Sequence, residues 1–242
     1  MARILITGAG GGLGLGAALE LAGQGHTVSA HVRVADRAGE LRPLLDRGAH
    51  LITGDLADPA QTRDVATQVE RLGGVDAVVH NAGTMDGAAV LPVNVVAPYL
   101  LTALVPAARH VYLSSGMHHG GRPTLDGLDW TGGVATASYS DSKLLVTALA
   151  AALGRLRPGV FSNAVDPGWV PTRMGGPSAP DDLELGHRTQ AWLAAGDDPA
   201  THVSAYWHHQ RQRTPHRAVH DARFQEALLD ALAAHTGLDL RA

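Results

Sequence analysis

A chain of 242 residues with 45% hydrophobic and 4% aromatic content can bury the Ala/Val/Leu core of one large α/β domain, with at most a small appendage. A formal net charge of -4 argues against nucleic acid or an anionic membrane as the main partner. The absence of cysteine excludes disulfides, thiolate chemistry and Cys-based zinc sites, and no apolar stretch is long and unbroken enough to span a bilayer.

The chain enters a strand-like run at Arg3-Ile4-Leu5-Ile6 without a basic leader or apolar signal region, so a cytoplasmic location is expected. Short apolar runs predict strands over 3–7, 27–32, 50–53, 77–80, 111–114 and 160–165, with a weaker one over 203–207. Between them, Ala/Leu-rich patterns predict helices over 13–22, 36–46, 61–71, 93–104, 138–153, 183–194 and 221–235. This alternation, with near-continuous apolar strands, predicts a parallel sheet of about seven strands covered on both faces. Right-handed crossovers make it doubly wound. No repeat or composition break marks a second domain, so residues 1–242 are expected to form one domain.

Thr7-Gly8-Ala9-Gly10-Gly11-Gly12-Leu13-Gly14 follows the first strand and opens the first helix. Glycines there permit a tight turn and let backbone N–H groups approach a pyrophosphate at the helix N-terminus. At the end of the second strand, an acidic residue would accept from a ribose 2′-OH and a basic one would accommodate a 2′-phosphate. The chain has Val32 at the acidic position and Arg33 next, while Asp36 is placed as a helix cap. NADP(H) is therefore favoured over NAD(H). Two Gly/Pro-rich stretches, 116–137 and 167–182, follow late strands and interrupt the alternation; such loops at strand carboxyl ends are where these folds bind ligands.

Lys143 is the only lysine; every other Lys or Arg is arginine. It follows Tyr139 by four residues, so on a helix the two share one face. An ammonium beside a phenol is expected to pull the phenol pKa down from about 10, which suits proton exchange near neutrality. A surface tyrosine followed by a solvated lysine is the other reading. Asn94 lies within a helical pattern, where a buried amide is costly unless it is used.

Thr7-Gly8-x-x-x-Gly12-x-Gly14, Asn81-Ala82-Gly83, Asn94, Ser114-Ser115, Tyr139-x-x-x-Lys143 and Pro167-Gly168 occur in one order. That order resembles the short-chain dehydrogenase/reductase family, in its compact single-domain, Rossmann-type branch. The run from Asn163 to Thr172 looks similar to retinol-dehydrogenase-like and actinobacterial ketoreductase-type members. The resemblance implies an NADP-dependent oxidoreductase that interconverts a carbonyl and a secondary alcohol.

Tyr139 is implied as acid/base, Ser115 as the donor that fixes the substrate oxygen, and Lys143 as the group holding the nicotinamide ribose and lowering the Tyr139 pKa. Asn94 is implied to retain a water between Lys143 and solvent. The implied cofactor contacts are Thr7, Gly8, Gly10, Gly12, Leu13, Gly14, Arg33, Asp55, Leu56, Asn81, Ala82, Gly83, Tyr139, Lys143, Pro167, Gly168, Val170 and Thr172, with Asp55 on the adenine amino group. Met117, Trp169, Met174, Tyr206 and Trp207 fall in or beside late loops and are expected to line a substrate pocket in the region 167–215, with core packing the alternative for Tyr206.

Against the family pattern, the stretch 84–92 is short and the gap between Ser115 and Tyr139 is long; the latter could form a lid or a pocket wall. The histidine pairs are expected to be solvated or capping groups, not metal ligands. A homodimer or homotetramer is implied, with the helices over 93–104 and 138–153 as contact candidates. The expected partner is otherwise a small carbonyl or alcohol substrate, with neither nucleic acid nor membrane. The alternative function is a dinucleotide-binding regulator of the same fold without turnover.

Overall fold

The computed structural model describes residues 1–34 and 39–241. One sheet organises them, built from β1 (Arg3–Ile6), β2 (Thr27–Val32), β3 (His50–Thr53), β4 (Ala77–His80), β5 (Arg109–Leu113), β6 (Phe161–Asp166), β7 (Tyr206–His208) and β8 (Arg211–Arg213). Its order is β3-β2-β1-β4-β5-β6-β7-β8. All neighbours run parallel except β8, which pairs antiparallel with β7. The order reverses at β1, so the crevice outside the carboxyl ends of β1 and β4 is the expected ligand position for a doubly wound sheet.

The helices are α1 (Gly12–Gly23), α2 (Arg42–Leu45), α3 (Pro59–Arg71), α4 (Ala97–Leu104), α5 (Tyr139–Leu156), α6 (Leu183–Ala195) and α7 (Ala222–Thr236). On one face of the sheet, α1 and α6 pack over Ile4, Ile6, Val79, Val111 and Trp207. On the other, α3 covers Leu5 and Val78, while α4 and α5 cover Tyr112 and Ala164. Strands β1 and β4 feed both faces because successive side chains alternate, Ile4, Ile6 and Val79 to one and Leu5 and Val78 to the other.

Four differences from the sequence expectations have local causes. The expected helix over 36–46 begins outside the described residues, and only Arg42–Leu45 is helical within them. The run Pro92–Val96 ahead of α4 is wound as a π-helix, with the Ala97 amide bonding the Pro92 carbonyl. Pro98 has no N–H to meet the Asn94 carbonyl, which removes the α-type bond that would hold the tighter winding. β8 is an addition, joined to β7 through His209 and Gln210 at φ 47° and 59°.

Finally, the faces of α4 and α5 offered as a subunit contact are occupied within the chain. Leu228, Leu229 and Leu232 of α7 join their core, and the Tyr99 hydroxyl donates to the Leu238 carbonyl at 2.7 Å. Ala148, Ala150 and Ala152 are all buried there.

The N-terminus of α5 is held firmly. Ser138 and Asp141 form a reciprocal capping box, and Arg122 donates to Asp141 from its backbone at 2.8 Å and its guanidinium at 2.9 Å. These bonds hold the Asp141 carboxyl well below the usual carboxylate range against the opposing effect of its burial. A cap of this kind is worth about 1 kcal/mol. It fixes the first residue of the helix, Tyr139.

Candidate active site

A cleft of about 1610 Å³ runs across the carboxyl edge of the sheet. At one end the glycine turn forms its floor. Gly8 has φ +67°, and a Cβ there would stand 2.9 Å from the Ala82 Cα. A Cβ at Gly14 would stand 2.5 Å from the Gly8 carbonyl, so β1, α1 and the Asn81-Ala82-Gly83 turn approach as only glycine allows. No side chain caps α1, which leaves its first N–H groups for a ligand.

The turn is tied down from beneath. The Thr7 hydroxyl accepts from the Ala82 amide at 3.0 Å, and Asn81 Nδ2 donates to the Thr7 and Gly8 carbonyls at 2.8 and 3.2 Å. The His31 ring is a clamp that the sequence reading overlooked. Its Nδ1 accepts from the Gly8 amide at 3.2 Å while Nε2 meets the Gly54 carbonyl at 2.8 Å. A glycine cradle of this shape, in a cleft larger than the several hundred Å³ typical of a drug-sized pocket, fits a dinucleotide.

Gly8, Gly10, Gly12, Leu13, Gly14, Arg33, Asp55, Leu56, Asn81, Ala82, Gly83, Pro167, Gly168, Val170 and Thr172 all line the cleft. Thr7 does not; it is buried and supports Ala82. At the rim, Glu40 Oε2 lies 3.7 Å from the point a Gly11 Cβ would occupy, and Arg173 reaches the Glu40 carboxylate at 3.9 Å.

At the other end the cleft meets Ser115, Tyr139 and Lys143. Ser114 and Ser115 point to opposite sides, as strand alternation requires: the Ser114 hydroxyl is buried against Thr147 Oγ1 at 2.6 Å, whereas Ser115 faces the cleft. Ser115 Oγ accepts from the Met117 amide at 3.2 Å and caps the short turn Gly116–Gly120. Lys143 is buried, donates to the Leu113 carbonyl at 2.6 Å, and stands 5.3 Å from the Tyr139 ring centroid.

Electrostatics here reverse one expectation. Burial raises the Tyr139 phenol to about 12; the Ser115 hydroxyl opposes the rise and the Asp166 carboxylate adds to it. Desolvation lowers Lys143 to about 8. In the free protein the phenol's burial dominates its shift, while the ammonium is engaged with the Leu113 carbonyl. Near neutrality the site therefore holds a protonated tyrosine beside a charged lysine.

Asn94 is drawn to this centre but does not line the cleft. Its amide pairs with the Thr84 backbone, N–H to Oδ1 and Nδ2 to O, both at 2.9 Å, and donates to Ser142 Oγ at 2.9 Å. Ser142 in turn donates to the Tyr139 carbonyl at 2.7 Å. Asn94 thus positions the first turn of α5, and its remaining acceptor faces Gly83, whose absent Cβ would stand 3.3 Å from Oδ1 and 3.6 Å from Lys143 Nζ.

Among the expected substrate contacts, Met117, Trp169 and Met174 line the cleft and are exposed at its rim. Tyr206 and Trp207 do not. They are buried in β7 and alternate into the two cores, Trp207 donating from Nε1 to Asn163 Oδ1 at 2.7 Å. The long segment after Ser115 contributes Gly116 and Met117 to the cleft wall, while Leu125, Leu128 and Trp130 pack against the α4–α5 core. His216 caps the turn Arg217–His220, and among the described residues no group of three or more His, Asp or Glu is arranged to hold a metal ion. Asp166, to which no role was assigned from sequence, also lines the cleft, as does His208 of the His208-His209 pair expected to be solvated or capping.

The family model for short chain dehydrogenases matches residues 2–107. Short-chain dehydrogenase chry4 of Gibberella zeae is 34% identical, over 99% of both chains. A protein named for ketoacyl reduction in the granaticin polyketide synthase of Streptomyces violaceoruber is 35% identical over 70% of this chain and 68% of its own. The crystal structure of a blue fluorescent protein from a metagenomic library, in complex with NADPH, superposes with a TM-score of 0.69 at 22% identity, over 85% of this chain and 95% of that one. No helix among the described residues is long and apolar enough to cross a membrane.

Proposed function

The chain belongs to the short-chain dehydrogenase family, NAD(P)-dependent oxidoreductases of carbonyl and alcohol groups, and from that premise we propose that it is a ketoreductase that prefers NADPH. The observation that carries the reading is the meeting of Ser115, Tyr139 and Lys143 on the wall of one cleft whose other end is the glycine turn. Bound along that cleft, a reduced nicotinamide dinucleotide would supply the hydride. Its pyrophosphate would lie on the first amides of α1 with Thr172 alongside, and Asp55 would meet its adenine.

Tyr139 gives its proton to the substrate carbonyl oxygen. A phenol raised to about 12 is fully protonated near neutrality, so the free site is set for reduction. The Ser115 hydroxyl donates to the same oxygen and fixes its distance from the phenol. Lys143 keeps one donor on Leu113 and presents the others to the ribose hydroxyls. Asn94 and Ser142 set the position of Tyr139 through its backbone. Met117, Trp169 and Met174 supply apolar contact for the substrate, within the loop region that starts at residue 167.

Arg33, exposed at the end of β2 and lining the cleft, supports the preference for a 2′-phosphate. Glu40 opposes it but has Arg173 beside it. The test is a ketone panel run with NADPH and NADH in parallel on the wild type and Arg33→Ala. Selective loss of NADPH affinity in the variant supports the assignment; an equal effect on both nucleotides removes it. The homodimer or homotetramer that the family implies would have to use surfaces other than α4 and α5, because α7 takes theirs.

A further inference from the structure

We propose that Asp166 is a specificity-determining residue of this site: it accepts a hydrogen bond from a hydroxyl carried next to the reacting carbonyl and turns away ketones that carry a carboxylate there. The inference rests on the ketoreductase reading and adds the class of substrate. Asp166 ends β6, beside the β5 edge that bears Ser115, and its side chain lines the cleft.

Its carboxylate is oriented before any substrate arrives. Oδ1 accepts from the Gly168 amide at 3.0 Å, and His208 Nδ1 stands 3.4 Å from Oδ2 while also meeting the Asp166 carbonyl at 3.2 Å. Burial raises the Tyr206 pKa, and the phenol lies near enough to feel the same carboxylate, which adds to the rise. A carboxylate offers about four acceptor positions, so the Gly168 amide and the His208 ring leave capacity for a further donor.

Asp166 shares its cleft with Ser115 and Tyr139. A Cβ on Gly116 would stand 3.1 Å from Oδ2, so glycine next to Ser115 is what keeps access to that oxygen from the serine side. The carboxylate is also near enough to the catalytic phenol to act on it, raising the Tyr139 pKa. Beyond it the rim is apolar, formed by the exposed faces of Met117, Trp169 and Met174. A carboxylate that shares the cleft with the proton donor and an apolar rim rewards a neutral molecule with a hydroxyl beside its carbonyl. The same charge penalises an α-keto acid, because two carboxylates at close range repel.

Three matched ketones test this in steady-state reduction: acetophenone, 2-hydroxyacetophenone and benzoylformate. The wild type is expected to use the hydroxy ketone at least tenfold better than acetophenone in kcat/KM, and benzoylformate at least tenfold worse. In Asp166→Asn both ratios should fall to within threefold; the ratios cancel any change in the common chemistry. Gly116→Ala is the second arm: it crowds Oδ2 but keeps the charge, so the hydroxyl preference should shrink while discrimination against benzoylformate stands. Ratios that survive in Asp166→Asn, or a wild type that treats the three ketones alike, overturn the assignment and leave the ketoreductase reading intact. No turnover of any ketone with either nucleotide overturns that reading and the Asp166 assignment with it.

Discussion

Lys143 donates to the Leu113 carbonyl at 2.6 Å, so the protein's own backbone at the end of β5 anchors the cation beneath Tyr139. Burial alone brings Lys143 to about 8, four units below the phenol at about 12. The lysine is then the first of the pair to lose its proton as pH rises. The kcat/KM for carbonyl reduction should fall along an alkaline limb near pH 8, since this parameter reports groups of the free enzyme. Arginine keeps its charge throughout, so the limb should move up by more than one unit in Lys143→Arg even if the rate is lower. A limb that stays in place in the variant assigns it to another group.

His118 joins the Ser115 turn to the C-terminal segment. Its ring is fully buried, with Nδ1 2.8 Å from the Ser115 carbonyl and Nε2 accepting from the His216 amide at 3.0 Å. His118→Leu strands both partners, at about 1–3 kcal/mol for each buried group left unpaired. Urea unfolding should record that loss, and kcat should fall about tenfold because Ser115 shifts. NADPH affinity should stay within about threefold, because the glycine turn is at the other end of the cleft. A kcat unchanged in the destabilised variant would show that the bond serves folding alone.

Acid should unfold this protein early. Burial lowers His110 to about 3 and His118 to about 4, and it lowers His31 and His80 as well. His80 and His110 are stacked with Tyr112 on the central strands β4 and β5. Each of these groups takes up a proton near pH 6.5 once unfolded but resists it when folded. Stability is therefore fully present above about pH 6.5 and is lost as pH falls toward the folded values. The slope is about 1.4 kcal/mol per pH unit for each such histidine. Thermal melts between pH 7 and 5 should show a steep decline, shallower in His110→Gln. A melting temperature independent of pH over that range contradicts the account.

The parts legible in the sequence were those set by local spacing. The glycine turn, the Tyr139/Lys143 pair and most element positions follow from backbone geometry within a few residues. What escaped depends on long-range contact or absent donors. β8 is short, exposed and charged at Arg211–Arg213, without apolar alternation, and its turn uses His209 and Gln210 in place of the usual Asn or Gly. Tyr206 and Trp207 resembled pocket residues because their late position was visible but the partner β6 was not. The Tyr139 shift was misjudged because spacing shows a neighbouring charge but not the burial of both groups. Asp166 looked like an ordinary residue before Pro167 until the sheet brought Ser115, His208 and Tyr206 around it.

The most direct test of the account is turnover and NADPH binding measured together in Tyr139→Phe, which removes one hydroxyl and keeps the ring beside Lys143. Loss of the proton donor should cut ketone reduction by about 10²–10⁴-fold, while nucleotide fluorescence reports binding within about threefold of the wild type. Reduction at the wild-type rate in this variant would contradict the assignment of Tyr139 as the acid, and with it the account of the cleft.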